Sequence, residues 1–145
     1  MENLLNKESV KRVLKVLNDF DQSIKVETLD TTARTAKDAA ESLKTEIGSI
    51  VKSLLLSRQS SFLLCLVAGD KRCSLNKVKK LLNEKDVSMA NADQVKEITG
   101  FTIGGVSPVG HLNKIDIYID KSLGRFTNIF AAAGHPYSIF KIDFE

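Results

Sequence analysis

The sequence is poor in the residues that hold together small secreted domains and metal sites. It contains two cysteines, two histidines and no tryptophan. Cys65 lies in an apolar run and Cys73 in a polar one, without the paired spacing of a disulfide framework or a zinc site. The histidines, His111 and His135, show no recognised ligand spacing. We therefore expect no metal, no cofactor, and a fold that depends on its hydrophobic core.

Long apolar segments are absent as well. The longest run, Phe62–Ala68, is far too short to span a bilayer, and the first residues lack the basic-then-apolar order of a signal peptide. These absences predict a cytoplasmic protein that does not enter membranes. A length of 145 residues, 43% of them hydrophobic and 27% charged, suits one globular domain over residues 1–145.

The net charge of the chain neither predicts nor excludes a nucleic-acid partner. A formal charge of +3 is too small to predict nucleic-acid binding by itself, and we expect no DNA partner. Basic side chains do cluster on two predicted helices, at Lys11, Arg12 and Lys15 and again at Lys77, Lys79 and Lys80. They could meet a phosphate backbone, but solvated helix faces commonly carry the same pattern.

Apolar periodicity predicts helices and strands in irregular alternation. The helices are expected from Ser9, after caps at Thr35 and Ser74, and between Asn91 and Gly100. The strands are expected at Ile24–Leu29, Ile50–Leu56, Phe62–Ala68, Ile115–Asp120, Phe126–Ala133 and Tyr137–Phe144. The alternation in Ile115–Asp120 predicts that its isoleucines face the core. This irregular order is typical of an α/β or α+β fold with a mixed sheet.

The segment Gly100–His111 carries four of the eight glycines and one of the two prolines. Paired glycines can adopt positive φ, and Pro108 favours an extended Ser107, so this loop can aim several N–H groups at one point. Such groups bind a carbonyl oxygen, a phosphate or an oxyanion. An ordinary connection between a helix and a strand would look similar.

Lys52 interrupts an apolar row. Counting by two places it on the same strand face as Ile50, Leu54 and Leu56. Because an unpaired buried ammonium is costly, Lys52 should either extend its stem to the rim or meet a negative group. A phosphate or carboxylate of a substrate is one such group.

Several common active sites are excluded by the spacing of residues. Ser107 lacks the final glycine of a hydrolase elbow, and Pro108 would obstruct the helix that follows such an elbow. The phosphate-binding and dinucleotide-binding glycine patterns are absent too. What remains is a site that binds and polarises a carbonyl or phosphate group without attacking it.

Four blocks, in order, resemble one family. The segment 104–110 is similar to the glycine-x-x-x-proline loop of the YbaK/prolyl-tRNA synthetase-associated family of aminoacyl-tRNA editing domains. The other blocks that resemble this family are Arg34–Ala40 with Ile50–Leu54, Ala68–Arg72, and Ala131–Pro136. The resemblance runs from about Val13 to Phe144. It implies a single domain with a mixed, partly barrel-like sheet surrounded by helices.

The resemblance also implies an activity. Members of the family hydrolyse the ester between a wrongly attached amino acid and the terminal ribose of tRNA, without a metal or a covalent intermediate. Lys52 occupies the family's lysine position and would hold the substrate, while N–H groups around Gly104, Gly105 and Val106 would stabilise the developing negative charge. Water, a ribose hydroxyl or a thiol of the substrate would attack. Cysteine or alanine on proline tRNA is the expected substrate.

Further substrate contacts are expected at Ser107, Pro108, His135, Thr32 and Arg34. A hydroxyl that stabilises the turn explains Ser107 equally well, and His135 could simply hydrogen-bond the backbone. The expected partners are the acceptor end of aminoacyl-tRNA and prolyl-tRNA synthetase. Two alternatives remain open. One is a non-catalytic module that binds aminoacyl-tRNA or a synthetase, and the other is a hydrolase of small amino-acid esters.

Overall fold

The computed structural model describes residues 7–29, 35–59 and 61–143. Its helices are α1 (Glu8–Phe20), α2 (Ala36–Leu43), α3 (Leu75–Leu82) and α4 (Ala92–Thr99). Its strands are β1 (Val26–Thr28), β2 (Val51–Arg58), β3 (Ser61–Ala68), β4 (Val87–Met89), β5 (Asp116–Ile119), β6 (Asn128–Ala132) and β7 (Ser138–Asp143). Short 3₁₀ helices occupy Ile47–Ser49 and Lys121–Arg125.

The strands form two sheets. One has the order β1-β7-β6 and is antiparallel, and the other has the order β4-β2-β3-β5, in which only β3 and β5 run parallel. A parallel bridge between Ile50 and Phe130 links the start of β2 to β6. The sheets do not close into a barrel. The expected single α+β fold, with a mixed sheet and helices around it, is confirmed.

Local signals account for the helix ends. The hydroxyls of Thr35 and Ser74 accept the N–H groups of the third helical residue of α2 and α3, as the sequence predicted. Asn91 and Gln94 form a reciprocal capping box at α4. Gly100 ends α4 with a φ of 79°, which a side chain would disfavour. The starts of α2, α3 and α4 and the end of α4 therefore fall where the sequence indicated, whereas α1 begins at Glu8, one residue before Ser9.

The main hydrophobic cluster joins both sheets to α1, α4 and the loop after α4. Its most buried members include Val13, Leu64, Phe101, Leu123 and Phe140. A second cluster lies under α3, and Leu56, Leu63 and Cys65 belong to it. Burial raises the pKa of the Cys65 thiol to about 12, with a further contribution from the nearby Cys73. Cys65 is therefore a core residue and not a nucleophile.

One strand was missed, and one expectation about a strand was wrong. The short strand β4 was not predicted, because Val87–Met89 is only three residues long. In β5, Ile117 and Ile119 are 43% and 59% exposed, whereas Tyr118 packs on the cluster under α3. Alternation shows that two faces differ, but it does not show which face of an edge strand meets the core.

Candidate active site

A cavity of about 310 Å³ opens where the two sheets diverge along β2. The glycine-rich loop and β2 form two of its walls, and α2, α4, β6 and β7 contribute small or apolar side chains. Lys52, Gly104 and Val106 all line it. The fold therefore brings together, in one cavity, a lysine and a loop that lie about 50 residues apart in the sequence.

The loop begins on a buried hydroxyl. Thr99 is fully buried at the end of α4, and its Oγ1 donates to the Val95 carbonyl at 2.6 Å and accepts the Phe101 N–H at 3.1 Å. This turns Phe101 into the core, where it is 1% exposed. The chain then leaves the core towards the cavity, and Gly104 adopts a φ of 95°.

Arg12 clamps both ends of the loop. Its Nη2 donates to the Gly100 carbonyl at 2.9 Å, and its Nε donates to the Gly110 carbonyl at 3.0 Å. The guanidinium also lies over the Phe101 ring, 4.9 Å from the centroid. The sequence indicated only a basic helix face, with a phosphate contact or a solvated surface as its alternatives, and neither includes this role of Arg12. Nothing in the spacing of residue 12 to residues 100 and 110 could have shown it.

The second half of the loop is held from inside. Ser107 is fully buried, its Oγ accepts the Val109 N–H at 3.2 Å, and its carbonyl accepts from His111 Nε2 at 2.7 Å. The His111 ring also meets the Phe101 ring edge-on, with 5.9 Å between centroids. Burial lowers the pKa of His111, the bond to Ser107 opposes that change, and the charge of Arg12 lowers the pKa further. Ser107 thus stabilises the turn, and neither it nor Pro108 is among the described residues that line the cavity.

The three expected amides differ in their use. The Gly105 N–H donates to the Thr102 carbonyl at 2.9 Å, so it is committed within the loop and is not the free donor that we expected. Gly105 matters for a different reason, because a Cβ there would lie 3.0 Å from the backbone of His135. Within the described part of the chain, the N–H groups of Gly104 and Val106 have no internal acceptor.

Lys52 pairs with Val67 in the β2–β3 ladder and shares a face with Leu54, as the period predicted. Its Nζ donates to the carbonyl of Lys71, in the turn that follows β3. The Lys52 ammonium therefore lies at the rim of the cavity on a main-chain oxygen, the first of the two outcomes that the sequence left open.

The turn that holds Lys52 is itself anchored. Asp70 accepts bonds of 2.9 and 2.7 Å from Arg125, and this pairing lowers the pKa of the Asp70 carboxyl. Gly69 lets the turn pack closely, because a Cβ there would lie 2.2 Å from the Ile47 carbonyl oxygen. Asp70 therefore orders the turn after β3.

The remaining candidates lie outside the cavity wall or outside the described residues. His135 is half-buried behind the loop, and its Nδ1 accepts the Tyr137 N–H at 3.1 Å. This is the backbone hydrogen bond that was the alternative for His135. Thr32 and Arg34 fall in the segment 30–34, outside the described residues.

The described residues contain no group of three His, Cys, Asp or Glu side chains placed to hold a metal ion. Nor does any helix among them have the length and apolar character needed to cross a membrane.

The chain matches one family model and is similar in sequence to bacterial proteins. A family model for the aminoacyl-tRNA editing domain matches residues 30–145. Protein YwhH of Bacillus subtilis is 30% identical over 92% of this chain and 85% of its own length. A proline--tRNA ligase of Macrococcus caseolyticus is 34% identical over 69% of this chain, which spans only 17% of that ligase.

A solved structure agrees with these sequence matches. It belongs to a protein provisionally described as a trans-editing enzyme for prolyl tRNA synthetase, and it superposes with a TM-score of 0.87 at 36% identity. The match covers 94% of this chain and 87% of the other. The family model over residues 30–145, the similarity to YwhH and this shared fold therefore identify the chain as a member of the aminoacyl-tRNA editing domain family.

Proposed function

We propose that the protein is an aminoacyl-tRNA deacylase that hydrolyses the ester of a mischarged tRNA in trans. The observation that carries the proposal is that Lys52 and the uncommitted amides of Gly104 and Val106 line one cavity. The family supplies the substrate class, because editing domains act on aminoacyl-tRNA.

The cavity suggests how the ester is activated. The ester carbonyl lies against the N–H groups of Gly104 and Val106, which stabilise negative charge on its oxygen as the nucleophile adds. The ammonium of Lys52 binds the terminal phosphate or ribose end, exchanging the Lys71 carbonyl for the substrate. The bond between the acyl carbon and the ribose oxygen breaks, and that oxygen leaves as a hydroxyl after taking a proton. Removing one such preorganised donor typically costs about 10²–10³ in rate.

The attacking group comes from water or from the substrate. Among the residues lining the cavity, Lys52 carries the only ionisable side chain, so the described wall offers no carboxylate or imidazole as a general base. The attacking group is therefore a bound water, a ribose hydroxyl or a substrate thiol, and the proton that it loses passes to the departing ribose oxygen. The chain contributes electrostatic stabilisation and positioning.

The walls favour an uncharged amino-acid side chain. Ala36, Ala39, Ala90 and Ala132 line the cavity together with aliphatic side chains. Such an apolar lining suits the side chains of cysteine and alanine and disfavours charged ones. Support for proline tRNA comes from the proline--tRNA ligases among the relatives and from the description of the structural match. Prolyl-tRNA synthetase is the proposed protein partner.

A deacylation panel tests the proposal. Purified protein is incubated with tRNA carrying alanine, cysteine, serine or proline, and released amino acid is measured. Lys52→Ala should reduce the rate for the preferred substrate by about 10² or more while the protein stays folded. Lys141→Ala is the matched control, since Lys141 is exposed on β7 and does not line the cavity.

The same assay separates the alternatives. Release no faster than the spontaneous rate for every tRNA would refute the proposal. Tight tRNA binding without turnover, unaffected by Lys52→Ala, would indicate a binding module. Equal turnover of free aminoacyl esters and aminoacyl-tRNA would indicate a hydrolase of small esters.

A further inference from the structure

On the edge that faces the cavity, strand β2 has a stretch without a paired strand. Toward its start it is bridged to β6 at Ile50, and toward its end it pairs with β4 from Leu56 onward. Between these points its neighbour is the cavity, which residues 50–55 line without a break. A free stretch of strand edge is therefore built into the wall that carries Lys52.

The register shows which residue of this edge faces the cavity. The Ile50 carbonyl accepts the Gly69 N–H at 2.8 Å, on the β3 side, whereas the Leu55 carbonyl accepts the Ala90 N–H at 3.0 Å, on the β4 side. Main-chain N–H and C=O groups alternate between the two sides of a strand. The main-chain groups of even-numbered β2 residues therefore bond to β3, and those of odd-numbered residues lie on the opposite side, toward β4 and the cavity. Ser53 therefore directs its N–H and C=O to the free edge.

The neighbouring strand gives the same answer independently. Ser53 is opposite Leu66 in the ladder, and the Leu66 carbonyl accepts the Asp120 N–H at 2.8 Å on the far side of β3. The pair Ser53–Leu66 is thus a non-hydrogen-bonded pair. Across the described residues, neither main-chain group of Ser53 has a partner, and its buried hydroxyl has none either.

We propose that the main chain of Ser53 binds the aminoacyl group as one residue of an added antiparallel strand. The Ser53 carbonyl accepts from the α-ammonium of the amino acid, and the Ser53 N–H donates to the ester carbonyl. In an antiparallel ladder, two opposed residues exchange both hydrogen bonds in this way, so the geometry needs no special adjustment. This inference rests on the proposed function, and it adds a third donor to those of Gly104 and Val106.

The pairing defines a substrate requirement. A free α-ammonium can donate to the Ser53 carbonyl, but an N-acylated amine is uncharged, bulkier and has a single N–H. The site therefore selects an acyl group with a free amine and rejects N-blocked or peptidyl esters. This selection is independent of the amino-acid side chain, which meets the small apolar walls.

Amide hydrogen exchange tests the free edge in the unliganded protein. The Ser53 N–H should exchange much faster than the N–H groups of its neighbours Lys52 and Leu54, which bond to β3. The neighbours are internal controls because they share the strand and its burial. Protection of Ser53 equal to theirs would overturn the proposal.

A stable analogue tests binding. The probe is 3′-alanylamino-3′-deoxyadenosine, whose amide replaces the ester, and its N-acetylated form is the matched control. The free-amine probe should shift the Ser53 amide resonance and slow its exchange, and the N-acetyl form should bind at least about tenfold more weakly. Equal affinity of the two probes, or an unchanged Ser53 resonance at saturation, would overturn the proposal.

A proline substitution tests the donor. Ser53→Pro deletes an N–H that makes no ladder bond, and edge positions tolerate proline, so the variant should fold. Its kcat/KM should fall by about 10²–10³. Leu54→Pro is the structural control, since it deletes an N–H bonded to β3 and should unfold the protein. A folded Ser53→Pro with wild-type kcat/KM would overturn the proposal, and if the variant does not fold, the two probes decide.

The outcomes separate this proposal from the one on which it rests. If no aminoacyl-tRNA is hydrolysed but the free-amine probe shifts Ser53, the deacylase assignment fails and the binding mode stands. If tRNA is deacylated while both probes bind equally, the deacylase assignment stands and the role of Ser53 fails.

Discussion

Two walls of the cavity leave backbone N–H groups unpaired, among the described residues, by opposite means. The glycine loop does so through irregular backbone, held by side chains from α1 and α4 and by its own His111. Strand β2 does so through regular backbone, because its ladder with β4 stops at Leu55. An uncommitted amide in a folded protein thus needs either distant clamps or an interrupted ladder. The loop should be the more fragile wall, since its shape depends on few long-range bonds.

Breaking the clamp should give the largest effect. Arg12→Ala removes two charge-assisted bonds and the stacking on Phe101, so the free energy of unfolding should fall by about 2–3 kcal/mol. Arg12→Lys should recover only part of this, because one ammonium cannot reproduce the guanidinium fork. Chemical denaturation measures both variants.

The comparison predicts where this damage appears. Amide exchange should accelerate in residues 102–110 of Arg12→Ala, while the β2–β3 ladder keeps its protection. Lys15→Ala, an exposed change on the same helix, should stay within about 0.5 kcal/mol of wild type. Uniform acceleration across both walls would contradict the separation that we draw between them.

Acidification should loosen the loop to a smaller extent. Burial places the folded-state pKa of His111 below its ordinary value of 6.5. As the pH falls through 6.5 towards the folded-state pKa, the unfolded chain takes up a proton that the folded protein resists, so stability decreases. The slope contributed by His111 cannot exceed about 1.4 kcal/mol per pH unit. Thermal unfolding between pH 7.5 and 5 measures it, and His111→Gln should flatten the curve; an unchanged slope in that variant would refute the assignment.

The smallest effect is expected at the turn that holds Lys52. Asp70 and Arg125 are 32% and 41% exposed, so solvent and salt screen their ion pair. Asp70→Asn should lower Tm by no more than a few degrees. Because the Lys71 carbonyl loosens, KM for aminoacyl-tRNA should change more than kcat. A larger change in kcat than in KM would show that Asp70 does not position Lys52.

Much of this molecule was predictable from local patterns. The caps Thr35, Ser74 and Asn91 and the terminator Gly100 acted as predicted, because capping depends on groups within a few residues. The apolar run Phe62–Ala68 became the inner strand β3. Failures occurred where long-range packing decides, as with the exposed isoleucines of β5 and the three-residue strand β4.

The candidate site divides in the same way. Residue types located the glycine loop and Lys52, but they could not show that the Gly105 amide is consumed by Thr102. The sequence did not indicate Ser53 as a site residue. Its proposed role depends on main-chain groups that no neighbouring strand pairs, and the residue type does not reveal this. The sequence shows which residues are present, but the strand register is needed to show which main-chain N–H and C=O groups remain unpaired.

The sequence by itself indicated the caps of α2 and α3, the end of α4, the family, and two of the segments that line the cavity. Helix capping, glycine conformation and apolar periodicity each depend on a few neighbouring residues, so they can be predicted from the sequence. Only the tertiary structure decided that Arg12 fastens residues 100 and 110, and that β2 lacks a partner at Ser53. Both features depend on contacts between residues that are far apart in the sequence, and no local sequence pattern predicts such contacts.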